Sequence, residues 1–552
     1  MSHPQAADLV LTGGPVHTID PARSRATAVA VRDGRITAVG HDEVHELIGP
    51  RTEVVDLAGR LLLPGFQDAH VHPQGAGLEL GLCHLGDTVD PAEYLRRIKA
   101  YADEHPDVEW IAGGGWSMEA FPGGTPTAAL LDAIVPDRPV FLPNRDHHGA
   151  WVNTRALERA GIDARTPDPA DGRIERDTDG NPTGMLQEGA ANLVGRLVPD
   201  PTLEEQTAAL LRAQAVLHSY GVTAWQDAII GTYTNMTDPA PAYHAALADG
   251  LLTARVVGAL WWDRGRGAEQ IPELVALREE LSRGRFQATT VKIMQDGIAE
   301  NHTAAMLDPY LTGCGCASDN SGISFVGPGE LKKHVTELDA LGFQVHFHAL
   351  GDRAVREALD AVEAARAANG WRDTRHHLAH LQVVHPDDIP RFRALGATAN
   401  IQALWATHEP QMDELTLPFL GAERGTWQYP FGDLLRAGAT LAAGSDWPVT
   451  SPDPLAAIHV AVNRIAPAAP DGTGVFLPEQ RIDLGAAIAA YTAGSAYVNH
   501  LDDTTGSIAV GKLADLVVLD RDPFAGPPEE IAATRVLQTF VEGRRVYAAP
   551  DA

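Results

Sequence analysis

Apolar and polar positions alternate in short runs at both ends of the chain. DLVLTGG, TAVAVRDGRITAVG and TEVVDLAGRLLLPG interleave β-branched residues with turn formers, and Asp33–Gly34 is a hairpin signal between two such runs. GSIAVGKLADLVVLD and RVLQTFVEGRRVY close the chain in the same way, with a turn at Gly543–Arg544. An isolated hairpin is only marginally stable. The two ends, residues 1–63 and 501–552, are therefore expected to pair into one small β-sandwich domain.

Residues 64–500 read differently. Short apolar segments alternate with amphipathic helical stretches such as LKKHVTELDALG and RAVREALDAVEAARAA, which is the rhythm of a parallel α/β architecture. The strand candidates are GFQDAHVH, VTAWQDA, RVVGAL, VKIMQDG, FQVHFHA, HHLAHLQ, TANIQAL and TLAAGSD. Eight strand–helix units predict a (β/α)8 TIM-like barrel, with its site at the carboxyl ends of the strands. Residues 81–200 break the rhythm and are expected to form an insertion after the first strand, a lid or wall over the barrel mouth.

Composition narrows the picture. At 552 residues the chain exceeds the ~250–300 at which one core stops growing, consistent with a barrel carrying additions. The formal net charge of −30 argues against nucleic acid and anionic membranes as partners. There is no run of ~18 apolar residues and no basic, apolar leader, so a cytoplasmic protein is expected. A small-molecule substrate is the expected partner, with room for a homodimer. Three cysteines against 23 histidines make imidazole and carboxylate the expected metal ligands. Cys314-Gly315-Cys316 has no second pair, and Gly113–Gly115 lacks phosphate-loop spacing, so neither is read as a site.

His70-Val71-His72 closes the first strand candidate. Residues i and i+2 of a strand share a face, so both imidazoles can meet one divalent ion. His346 and His348 share a face of the fifth strand, His380 lies near the end of the sixth, and Asp446 near that of the eighth. A structural barrel interior prefers Val, Ile and Leu, so this agreement points to a metal centre. Lys292, at the end of the fourth strand, would lose its charge on burial. Its neutral amine could then capture carbon dioxide as a carbamate able to bridge two metal ions. Against that stands a salt bridge from Lys292 to Asp296 or Asp446.

These segments, with GGGW, RDHHGAWVNTRALERAGI, HALGDRAV, GSDWPV and TAGSAYVNHLDDTTGSIAVGKLADLVVLDRDP, resemble the amidohydrolase superfamily nearly end to end. The match is to the amidohydrolase-3 type branch that includes N-substituted formamide deformylases. The resemblance implies two divalent ions, of which zinc is the expected metal. It places His70, His72 and Asp446 on the first, His348 and His380 on the second, and a carboxylated Lys292 between them. In that family Glu usually precedes the sixth-strand histidine, whereas here Ala379 precedes His380; the ligand itself is intact.

Metal-activated water would attack a carbonyl while Asp446 relays the proton. The expected reaction is hydrolysis of a non-peptide C–N bond, an N-substituted amide or formamide. A deaminase or a cyclic amide or lactone hydrolase would use the same core, and a non-catalytic scaffold is the reading from another class. Trp116, His148, Asp296 and Trp405 are candidate substrate contacts. With Trp151, Trp225, Trp261, Trp262 and Trp447 the tryptophans predict an aromatic mouth suited to a hydrophobic N-substituent.

Overall fold

A computed structural model of the chain describes residues 6–86, 88–233, 236–470 and 472–550. Eight parallel strands form the barrel: β1 (Phe66–Val71), β2 (Val222–Ile230), β3 (Arg255–Trp261), β4 (Phe286–Met294), β5 (Gln344–Ala349), β6 (His377–His380), β7 (Thr398–Ile401) and β8 (Thr440–Ala443). Each pairs in parallel with the next. β1, β2, β5, β6 and β7 are buried at every position, as expected of strands covered on both faces. The seam between β8 and β1 carries no ladder. Just beyond the strand ends, Asp446 N–H donates to the His70 carbonyl at 2.7 Å and His72 N–H to the Trp447 carbonyl at 2.9 Å. The barrel is thus drawn together at the residues expected to hold metal.

The surrounding helices follow from local sequence. Thr202 and Glu205 form a capping box at the start of Leu203–Ser219, a feature that contributes about 1 kcal/mol. Asp352–Asn369 buries Ala354, Val355, Ala358, Leu359, Ala361, Val362 and Ala365, the spacing of one helical face.

The terminal segments form one continuous sheet of eight strands. Its order is Arg544–Ala548, Val536–Val541, Leu516–Leu519, Leu61–Pro64, Leu9–His17, Arg25–Arg32 and Arg35–Gly40, with Glu53–Asp56 also paired to Leu9–His17. The Asp33–Gly34 turn folds back onto the chain before Leu516: Ala514 N–H donates to the Gly34 carbonyl and Ile36 N–H to the Lys512 carbonyl, both near 2.8–2.9 Å. The sheet so encloses Leu11, Val29, Leu62, Leu516, Val518 and Phe540. The alternate residues Leu61, Leu63, Val517 and Leu519 join the barrel core instead, as a period of two requires. Arg255 of β3 pins the contact through ion pairs with Asp515 and Glu542. The first five and last two residues of the expected terminal domain lie outside the described residues.

A second added sheet, of six strands, runs from Cys83–His84 to Pro182–Glu188. Its core includes Tyr94, Trp116, Phe121 and Trp151, and also Met306 and Tyr310 from the loop after β4 and Leu415 and Leu420 from the segment after β7. Those two segments were not anticipated as part of the wall, because each follows its own strand, far along the chain from residues 81–200. No helix of the described residues is long and apolar enough to cross a membrane.

Candidate active site

The strand ends bring His70, His72 and Asp446 to one point. Nε2 of each imidazole lies 3.1 Å from Asp446 Oδ1, and the three donor atoms fall within 4.8 Å of one another. Asp446 is not in a strand; it follows β8 by three residues in a left-handed turn, φ +56°. His380 and Leu381 are also left-handed, at +81° and +51°. Such positions cost of order 1–3 kcal/mol each and persist where surrounding contacts over-determine them. Here Asp68 does so. Its carboxylate accepts the His70 N–H at 2.9 Å and the Ser445 hydroxyl at 2.6 Å, tying β1 to the turn after β8. Gly444 allows the approach, since a Cβ there would sit 2.6 Å from the His70 nitrogen.

His348 and His380 stand beside this group, their ring centroids 4.5 Å apart and His380 4.7 Å from His70. His380 Nδ1 is buried without a hydrogen-bond partner and lies 3.9 Å from Asp446 Oδ2. Burial holds all four imidazoles below their ordinary range, His70 at about 3, so they present lone pairs rather than protons. Burial also brings the Lys292 amine down to about 7, with Asp446 pulling the other way. Lys292 Nζ sits 3.4 Å from His346 Nε2, not in an ion pair with Asp296 or Asp446. Neutral imidazoles, a carboxylate and an orphaned ring nitrogen are a donor set that fits a divalent ion of the zinc type.

Beneath this floor a hydrogen-bond chain decides which ring nitrogen is free. Gln344 Nε2 donates to the backbone carbonyls of Arg375 and Val498 at 2.8 and 2.7 Å, so Gln344 Oε1 must accept. It accepts from Gln226 Nε2 at 3.0 Å, which leaves Gln226 Oε1 as an acceptor. His346 Nδ1, 2.7 Å away, and His377 Nε2, 2.9 Å away, must therefore carry protons. A neutral His346 then has a bare Nε2, and His70 Nδ1, 2.9 Å from it, is the donor. The His70 lone pair is left on Nε2, aimed at Asp446. Two carbonyls at the barrel bottom thus orient a candidate ligand at its top, in the way that outer partners orient metal-binding histidines. His346, which shares a strand face with His348, is a partner of His70 and not a member of the cavity wall.

Above this group is a cavity of about 580 Å³ reached by His70, His72, Lys292, His348, His380 and Asp446. Of the proposed substrate contacts, His148 and Trp405 line it. Trp405 stacks on His380 at 5.2 Å and 14°. Trp116 does not: it is wholly buried in the insertion core, its Nε1–H on the Leu142 carbonyl at 2.8 Å. Asp296 is also off the wall, since its carboxylate accepts N–H groups of Ala305, Leu350 and Gly351 at 2.8–3.0 Å and lies 3.3 Å from His348 Nδ1. It positions the β5 end rather than substrate. Of the other tryptophans only Trp261 borders the cavity; the rest serve packing, so most of the apolar wall is aliphatic.

His148 is backed by Glu188, whose two oxygens lie 2.9 and 3.1 Å from Nδ1. Burial would discharge the pair, but the mutual attraction prevails, taking His148 up to about 9 and Glu188 down to about 2. Asp68, Gln226 and Glu188 were missed in sequence. For Asp68 and Gln226 the available signal was a polar residue inside an otherwise apolar strand segment, FQDAHV and TAWQDA, which burial tolerates only when it is bonded.

A model of the amidohydrolase family matches residues 53–547. The chain belongs to the amidohydrolase family. This amidohydrolase is 32% identical over 548 residues to Protein LONG AFTER FAR-RED 3 of Arabidopsis thaliana, covering 98% of this chain and 92% of that one. It is 27% identical over 566 residues to an N-substituted formamide deformylase of Arthrobacter pascens, covering 98% of each. The fold matches the crystal structure of an uncharacterized metal-dependent hydrolase from Pyrococcus furiosus with a TM-score of 0.68 and 26% identity, over 93% of this chain and 99% of that one. With the donor set described above, these matches make this amidohydrolase a metal-dependent hydrolase that uses a divalent ion.

Proposed function

We propose that the amidohydrolase cleaves a non-peptide C–N bond, that of an N-substituted amide or formamide. The reading rests on the convergence of the His70 and His72 ring nitrogens and the Asp446 carboxylate at the floor of a large, mostly apolar cavity. The likeness to N-substituted formamide deformylase over the whole chain supports the bond type.

In this reading zinc would be the metal, two ions would be held, and Lys292 would carry a carbamate as a further ligand. His70, His72 and Asp446 would hold one ion, and His348 and His380 the other. When bound, the ions supply Lewis acidity for a water and the scissile carbonyl. Lys292 suits its part because burial brings its amine down to about 7, which raises the share of the neutral form that reacts with carbon dioxide. Asp446 takes the proton of the attacking water on its carboxylate and passes it to the leaving nitrogen. The His148 Nδ1–H is committed to Glu188, which leaves Nε2–H as a charged donor on the cavity side for the carbonyl oxygen as negative charge builds on it. The aliphatic walls exclude water and seat the N-substituent. A small-molecule substrate, a cytoplasmic location and a homodimer go with this reading; light scattering checks the assembly.

The test is a screen of metal-loaded protein against N-formyl and N-acyl amines, cyclic ureides, aminated heterocycles and lactones. N-benzylformamide-like compounds should exceed short N-alkyl formamides in kcat/KM, and turnover of lactones or aminated heterocycles alone would displace the proposal. Asp446→Asn should lower kcat by about 10²–10⁴ or more with the fold intact. Retained activity would refute the proton relay.

A further inference from the structure

The main cavity has a side alcove, of about 70 Å³, that the hydrolytic chemistry does not use. Asp146, Ile298, Leu350, Trp405 and Val449 border both spaces, so the alcove opens onto the cavity beside the Trp405–His380 stack. Its deeper walls carry Glu300, Glu409, Gln382 and Arg145.

The polar inventory is one-sided. Among the lining side chains Asp146, Glu300 and Glu409 stand against one guanidinium, Arg145, whose Nη2 is engaged with Gln411 Oε1 at 2.9 Å. Outside the alcove Asp146 also accepts the His148 backbone N–H at 3.0 Å and feels the His148 charge, which Glu188 already pairs. Gln382 is fully buried, and its amide is oriented: Nε2 donates to Glu300 Oε1 at 3.2 Å and to Gln428 Oε1 at 3.4 Å. Its Oε1 is therefore an acceptor, and it has no partner. A buried acceptor left unpaired costs about 1–3 kcal/mol, so native structures seldom keep one without a ligand or water to meet it. Glu300 is held in place by the Thr416 hydroxyl at 2.9 Å. Burial pushes all three carboxyls up, Glu409 to about 7, a penalty that a positive group among them would relieve.

We infer that the alcove is a subsite for a cationic nitrogen group of the substrate, an ammonium or guanidinium joined to the scissile amide through an apolar spacer. An anion would meet three acidic side chains and one engaged arginine, and a neutral apolar group would leave Gln382 Oε1 unmet. A guanidinium brings donors and charge together, and the space suits a group of that size. The net charge of −30 acts in the same direction at long range, raising the local concentration of cations. The inference rests on the hydrolase reading of the main cavity for its description of the ligand as substrate, and its test does not use turnover.

The test is calorimetric binding of 2-phenylethylguanidine and of 2-phenylethanol to metal-loaded protein at neutral pH and low salt. The guanidinium stays protonated and is a poor metal ligand, so it reports on charge recognition. It should bind at least about tenfold more tightly than the alcohol, a difference of about 1.4 kcal/mol. Glu300→Gln and Glu409→Gln should each lower that ratio at least about threefold while leaving alcohol binding, an internal check on folding, unchanged. A wild-type ratio below about tenfold, or one that survives both substitutions, overturns the inference. Cation recognition without hydrolysis of any amide would count against the proposed reaction alone, and amide hydrolysis without cation recognition against the alcove alone.

Discussion

Gln226 and His346 touch no substrate, yet the hydrogen-bond chain makes them decide whether His70 can bind metal. Replacing His346 by Leu removes the acceptor opposite His70 Nδ1–H, now 2.9 Å away. A neutral His70 can then move its proton to Nε2, where it occupies the lone pair aimed at Asp446. Replacing Gln226 by Leu strands two ring N–H groups, on His346 and His377. Each would cost about 1–3 kcal/mol unpaired, and the cheapest escape is a tautomer switch that passes up through His346 to the same nitrogen. Loss of an outer partner of this kind lowers metal affinity about 10–100-fold, about 1.4–2.8 kcal/mol. Both substitutions should produce that loss. His346→Gln should not, because an amide can accept from His70 and donate to Gln226 with the polarity of the original ring. Zinc affinity measured by chelator competition, with thermal melts of the metal-free proteins as a folding control, gives the comparison. Long-range ¹⁵N spectra of histidine-labelled apoprotein should place the His70 proton on Nδ1. Wild-type zinc affinity in a folded His346→Leu protein, or equal losses in His346→Leu and His346→Gln, would refute the reasoning.

Glu188→Gln removes the partner of His148 and should cost about 3–5 kcal/mol, the range for breaking a buried pair. His148 is raised to about 9 and Glu188 lowered to about 2, against ordinary values of ~6.5 and ~4.3. The histidine's contribution is full below its unfolded pKa and lost as pH rises through 9; the glutamate's is full above its unfolded pKa and lost as pH falls through 2. The gap in Tm between wild type and variant should therefore peak between pH ~4.3 and ~6.5, and a gap independent of pH would refute the pairing. Gly444→Ala forces a methyl group to within 2.6 Å of the His70 nitrogen and 2.7 Å of its Cβ. Displacing that backbone should cost about 1–3 kcal/mol and deplete bound metal, and unchanged metal content and Tm would refute the close-approach argument.

The residues that converge at the cavity floor were legible because each lies at the end of an apolar run, where a histidine or carboxylate is conspicuous. Their company was not. Trp116 and Trp405 look alike along the chain, yet one is core to the insertion and the other stacks on His380, because the register of two separate loops decides which reaches the cavity. Asp296 sits one strand end from the ligands, but three backbone N–H groups claim its carboxylate.

By itself the sequence determined what local periodicity and short-range chemistry control: parallel strands covered by helices, β-rich ends, an interruption after the first strand, and histidines and an aspartate at strand ends. Tertiary structure decided everything that depends on residues far apart in the chain. Asp68 meets Ser445 across 377 positions, and the free nitrogen of His70 is dictated by carbonyls at residues 375 and 498. The alcove joins side chains from the insertion, the loop after β4 and the segment after β7. Periodicity is a property of neighbours, whereas tautomers, orphaned acceptors and cavity charge depend on which distant groups burial brings within 3 Å or so of each other.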